Sequence, residues 1–93
     1  MSWSVKDRWG NEIALSDERW QHIIDGHWEL EDMFAQVLET VRLGTRRQNS
    51  MNPNQYRYTR RFSDLFYGYT HIVVIIRLKP NSFVITAYPK RVR

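Results

Sequence analysis

The chain has three histidines, His22, His27 and His71, the residue type whose ordinary pKa permits proton transfer near neutral pH. It has no cysteine, which excludes a thiol nucleophile, a disulfide scaffold, an iron–sulfur site and a cysteine zinc site. His22 and His27 are five positions apart, which turns them about 140° from one another on an ideal helix. They therefore cannot clasp a metal ion as an i, i+4 pair does. No serine sits in a nucleophile motif and no glycine-rich phosphate loop is present. Neither a metal nor a cofactor is expected. Acid–base chemistry on a substrate that carries its own nucleophile remains, and RNA is such a substrate. Its 2′-hydroxyl attacks the adjacent phosphorus while one group takes a proton, another gives one, and cations stabilise the added negative charge.

The cations are concentrated in one half. Residues 1–41 carry nine acids and three bases, whereas residues 42–93 carry one acid, Asp64, and eleven bases, nine of them arginine. Arginine is suited to forked phosphate contacts and to stacking, and such an asymmetry in a short chain points to a polyanion partner. Mutual neutralisation of the two halves across the fold is the plainer alternative. Arg46, Arg47, Arg57, Arg60 and Arg77 are the candidate RNA-binding cations, Arg61 the candidate charge clamp, and Tyr88 a candidate aromatic contact. His71 reads either as a proton carrier or as a strand residue bordering the core. His27, on an apolar helical stripe, reads either as a catalytic group or as a packing histidine.

The elements that must position these groups follow from periodicity. With 93 residues, 42% of them hydrophobic, the chain makes a single domain, 1–93, with one core. Two extended pieces flank a turn at Trp9-Gly10-Asn11. Ser16 is an N-cap for a helix ending near Gly26, with Trp20, Ile23, Ile24 and His27 on its apolar stripe and His22 nearly opposite. A second helix spans 29–43 on Leu30, Met33, Phe34, Val37, Leu38 and Val41, and Gly44 stops it. Alternation then marks strands at 45–49, 55–62, 69–78 and 82–88, with short connections that imply an antiparallel meander. The expected fold is α+β, two N-terminal helices packed on one face of a four-stranded antiparallel sheet after a short extended segment. With Phe83, Ile85 and Ala87 facing the helices, the other face collects Arg57, Arg61, His71, Arg77, Thr86 and Tyr88. No segment is apolar enough to span a bilayer, and the N-terminus lacks a basic-then-apolar leader pattern, so a cytoplasmic protein is expected.

Two segments carry a family resemblance. Trp20-Gln21-His22-Ile23-Ile24-Asp25-Gly26-His27 followed by an acidic amphipathic helix, and the ending Phe83-Val84-Ile85-Thr86-Ala87-Tyr88, resemble the barnase–EndoU–colicin–RelE-like group of small phage and bacterial nuclease domains. The resemblance spans most of residues 13–90. It implies N-terminal helices on a four-stranded antiparallel sheet and metal-independent RNA cleavage at that sheet. It points to His22 or His27 in the first helix, a basic residue in the central strands, and Thr86 in the last strand. It also implies a toxin held in check by an antitoxin, or an effector domain joined to a larger protein; an acidic antitoxin or immunity protein is the protein partner that the basic half suggests. Two readings stand beside the endoribonuclease: a non-catalytic RNA-binding module, and an interaction domain docking an acidic partner through its basic half.

Overall fold

The structure, a computed structural model, describes residues 2–92; Arg93, one of the eleven bases, lies outside them. Strand β1 (Ser2–Lys6) pairs antiparallel with β2 (Glu12–Ser16) through a turn in which Gly10 has φ 84°, a conformation that a Cβ disfavours. Asp7 organises this turn. Its carboxylate accepts hydrogen bonds from the backbone N–H groups of Trp9 (2.9 Å) and Asn11 (2.8 Å) and from the Asn11 side-chain amide (3.0 Å).

Ser16 caps helix α1 (Asp17–Gly26), its hydroxyl accepting from the Arg19 N–H at 3.1 Å. The second helix departs from the single span 29–43. A 3₁₀ segment, Trp28–Met33, leads into α2 (Phe34–Leu43). With only His27 between α1 and this segment, the chain begins in the tighter i→i+3 pattern, the Leu30 N–H bonding the His27 carbonyl at 3.0 Å. The apolar stripe nevertheless runs through both pieces: Leu30, Met33, Val37 and Val41 are buried, and Phe34 and Leu38 pack beside them. At Gly44 a Cβ would lie 2.5 Å from the Thr40 carbonyl oxygen and 2.9 Å from that of Thr59, so only glycine fits where the helix end meets the sheet.

Strands β3 (Thr45–Gln48), β4 (Gln55–Arg61), β5 (His71–Arg77) and β6 (Phe83–Lys90) form the expected antiparallel meander. The sheet is larger than four strands, however. β2 joins β6 in parallel at Ala14↔Phe83, giving a six-stranded mixed sheet of order β1-β2-β6-β5-β4-β3. The expectation of a four-stranded antiparallel sheet is thus corrected, while the α+β class and the two helices hold. The hairpin joins because it has a core face of its own: Ile13 and Leu15 are 1% and 2% exposed. Helix α2 contacts β1 as well as β4 and β5. Since β1 and β4 are far apart in the strand order, the sheet curls around the helix.

The last strand needs a second correction. Ile75 pairs with Thr86 but Ile76 pairs with Val84, leaving Ile85 as an extra residue in a β-bulge. The bulge reverses the face of the residues before it: Val84 is buried on the helix side and Phe83 lies opposite Arg77 on the other, the inverse of strict alternation. Beyond the bulge, Ala87 faces inward and Thr86 and Tyr88 outward, as expected. Among the described residues no helix is long and apolar enough to cross a membrane.

Asp7 also ties the hairpin to the far side of the sheet. The fully buried Tyr58 of β4 donates its hydroxyl to the Asp7 carboxylate. Arg46 of β3 pairs with the same carboxylate at 3.7 Å and lies over the rings of Trp9 and Tyr56, 4.0 and 4.6 Å from their centroids. Burial pushes the Asp7 carboxyl upward, but the hydrogen bonds from Tyr58, Asn11 and Trp9 outweigh it and hold it below its ordinary 3.8. Burial and the adjacent carboxylate both push the Tyr58 phenol upward. Removing the phenol leaves a buried acceptor short of a donor, so Tyr58→Phe should lower the unfolding free energy in urea by about 1–3 kcal/mol. Because the folded-state value of Asp7 is depressed, its contribution is complete above the unfolded value and is lost as pH falls through the folded one. Stability should therefore decline below about pH 4, and less steeply in Asp7→Asn.

Candidate functional site on the open sheet face

Every second side chain of β3–β6 points away from α2, and the register sorts them into rows. Arg61, His71 and Lys90 are aligned across β4, β5 and β6. The next row is Thr45, Thr59, Val73 and Tyr88, followed by Arg47, Arg57, Ile75 and Thr86, and then Gln55, Arg77 and Phe83. The six residues expected from alternation, Arg57, Arg61, His71, Arg77, Thr86 and Tyr88, thus share this face. Arg47 and Lys90 join them. None of the four strands contains an acid.

This arrangement works against the fold. Arg47 stands directly opposite Arg57, and Arg61 and Lys90 flank His71 on either side. Like charges opposed across a sheet are destabilising. A structural role would be served better by a carboxylate in either row, whereas a bound polyanion turns the same repulsion into attraction. Two hollows open on the face. One, of about 530 Å3, lies beneath the β3–β4 loop and is lined by Arg47, Arg57, Ile75 and Tyr88 among others. The second, of about 440 Å3, lies where this face meets the end of α2, lined by Thr45, Thr59, Arg61 and His71 together with Arg8, Leu43, Gly44 and Arg60. The larger hollow is offset from the histidines and the smaller contains one.

The His71 ring is partly buried. Its Nδ1 is 2.7 Å from the Thr70 hydroxyl oxygen, which also accepts from the Val92 N–H at 2.9 Å. Burial, then the charges of Arg61 and Lys90, hold the imidazole below its ordinary value of 6.5. It is therefore neutral at pH 7 and able to accept a proton. The second imidazole arrives from α1, which packs beside β6. His27 has its ring centroid 6.1 Å from that of Tyr88, and its Nδ1 is 3.5 Å from Glu29 Oε1. Tyr88 is the diagonal neighbour of His71, a relation that separates the two residues by about 7–8 Å. His27 thus borders Tyr88, which stands one row along the sheet from His71.

The remaining candidates lie elsewhere. His22 is exposed on α1, and among the described residues no hydrogen bond or ring contact joins it to the open face. Arg46 is committed to Asp7 and Trp9 on the helix side. Arg60 also turns to that side, 3.7 Å from Glu39 of α2 and over the Phe62 ring. Lys90 and Thr59 are site residues that sequence reading passed over. Carrying the alternation of the last strand two residues beyond Tyr88 finds Lys90, and Thr59 is the middle member of the Arg57-x-Thr59-x-Arg61 set. Among the described residues no three His, Asp or Glu side chains converge as a metal site requires.

No family model, curated protein or solved structure matches this chain. The arrangement itself has a direct test. In a histidine titration followed by NMR, His71 should titrate below 6.5. Both Arg61→Ala and Lys90→Ala should move it upward, since each removes a charge that opposes protonation.

Proposed function

We propose that the chain is a metal-independent endoribonuclease acting on single-stranded RNA at the open sheet face. The observation that carries this reading is the row Arg61–His71–Lys90: an imidazole kept neutral between two cations, on a basic face free of acids, with a second imidazole, His27, across Tyr88. The resemblance to small nuclease domains agrees with it in placing the chemistry at the sheet.

The steps follow from that geometry. A phosphodiester seated among Arg57, Arg61 and Lys90 has its non-bridging oxygens held by charge-assisted hydrogen bonds. His71 removes the 2′-hydroxyl proton at Nε2. This needs the tautomer in which Nδ1–H donates to Thr70 Oγ1, whose own hydrogen then turns to the Lys90 carbonyl, 3.4 Å away. The O2′–P bond forms, the P–O5′ bond breaks, and His27 gives a proton to the leaving 5′-oxygen. The products are a 2′,3′-cyclic phosphate and a free 5′-hydroxyl. Thr86 and Tyr88 supply hydroxyls to orient the phosphate. The like charges left uncompensated on this face are also what an acidic antitoxin or immunity protein would cover, so inhibition by occlusion belongs to the same reading.

Labelled RNA in chelating buffer should yield discrete fragments ending in cyclic phosphate. His71→Ala and His27→Ala should each slow cleavage by about 10²–10⁴-fold with RNA affinity retained, whereas the Arg57→Ala/Arg61→Ala double variant should be weakened in both. RNA that is bound but left intact at every pH would instead favour a non-catalytic binding module.

A further inference from the structure

Three large aromatic side chains lie outside both the core and the open sheet face. Trp28, Phe66 and Tyr67 are 64%, 53% and 55% exposed. They nevertheless cluster: the Trp28 and Tyr67 rings meet edge to face at 5.4 Å, and Phe66 lies 6.1 Å from Tyr67. The cluster is built from two distant segments, the start of the 3₁₀ segment and the β4–β5 loop, so local sequence alone does not account for it.

Its backbone is held in place. Tyr67 has φ 61°, the left-handed region, which is unfavourable for a bulky residue. Arg91 fixes it there: its Nε and Nη2 donate to the Tyr67 carbonyl at 3.3 and 2.9 Å while its guanidinium lies over Tyr69, 4.1 Å from the ring centroid. A strained, clamped and exposed tyrosine is held open for something to pack against it. The position says what. Trp28 directly follows His27, and Arg91 directly follows Lys90, the partner of His71. The aromatic cluster therefore adjoins the histidine end of the cationic face.

We infer that Trp28, Tyr67 and Phe66 form a stacking platform for the unpaired bases of an RNA strand whose phosphates lie on the open sheet face. This assignment rests on the polyanion reading of that face but not on cleavage. Flat rings, two of them (Trp28 and Tyr67) with a polar edge, beside a row of cations, match a nucleobase attached to a phosphate. They match a duplex poorly, because its bases are already stacked on one another. The platform thus supplies a preference for single strands that the arginines alone cannot give.

Binding is to be measured with a 2′-O-methyl oligoribonucleotide, which cannot be cut by 2′-hydroxyl attack, with the blunt duplex of the same sequence, and with inorganic polyphosphate. The full chain should prefer the single strand to the duplex, and its tryptophan emission should be quenched on binding. Trp28→Ala and Tyr67→Asn, the latter chosen because asparagine tolerates the left-handed backbone, should each weaken single-strand binding by about 5- to 100-fold. Polyphosphate affinity should remain within about twofold of wild type, and the melting temperature should not fall. Unchanged single-strand affinity in both variants, or an equal loss toward polyphosphate, overturns the platform and leaves the rings to a protein contact. A wild type that binds none of the three probes defeats the polyanion reading, and the platform with it. A wild type that binds through the platform but never cuts RNA defeats only the nuclease reading.

Discussion

Asp7 joins two parts of the sheet that strand order keeps apart. Its carboxylate shapes the β1–β2 turn, accepts the hydroxyl of the buried Tyr58 on β4, and faces Arg46 on β3. Through these contacts the sheet is closed around α2, with Leu30, Met33, Val37 and Val41 sealed against Ile72, Val74 and Ile76. The helices are then spent on one side. The other side of β3–β6 lies outside that layer, and beside the apolar Val73, Ile75 and Phe83 it carries cations, hydroxyls and an imidazole. The buried ionic cluster and the exposed basic face are two consequences of one closure.

That closure also sets where the two histidines lie. His71 is set by the strand register, between Arg61 and Lys90. His27 is set by the end of α1, where the hydrogen bond from its backbone N–H to the Ile23 carbonyl finishes the helix. Because β2 meets β6 at a single pair, Ala14↔Phe83, the later part of β6 is open to α1, and His27 reaches Tyr88 there. The cationic neighbours that disfavour a protonated His71 are, in the proposed reading, the ones that would hold a phosphate, so one set of charges would both tune the base and bind the substrate.

Local signals in the sequence were sufficient for much of this. Ser16 and Gly44 mark their helix ends by the physics of capping and close approach, and alternation places Arg57, Arg61 and His71 on one face. The same alternation puts Arg60 in line with Tyr58 and Phe62, so its place on the helix side, contrary to its reading as an RNA-binding cation, was legible without coordinates, whereas its partner Glu39 was not. What was not legible is non-local. A single parallel pair at Ala14 leaves no pattern in the chain, and a bulge at Ile85 inverts Phe83 and Val84 without altering the run of apolar residues. The partnership of Arg46 with Asp7 joins residues 39 positions apart. Trp28, Phe66 and Tyr67 belong to no apolar period, and only the fold brings them to one place.

The central claim is that the cations of the open face engage phosphates as a group, and the salt dependence of RNA binding tests it most directly. On an uncleavable single strand, five engaged cations (Arg47, Arg57, Arg61, Arg77 and Lys90) correspond to a slope of log affinity against log salt of about −3.5, falling in magnitude to about −2 in the Arg57→Ala/Arg61→Ala variant. A slope near zero, or one that the double substitution leaves unchanged, would contradict the account.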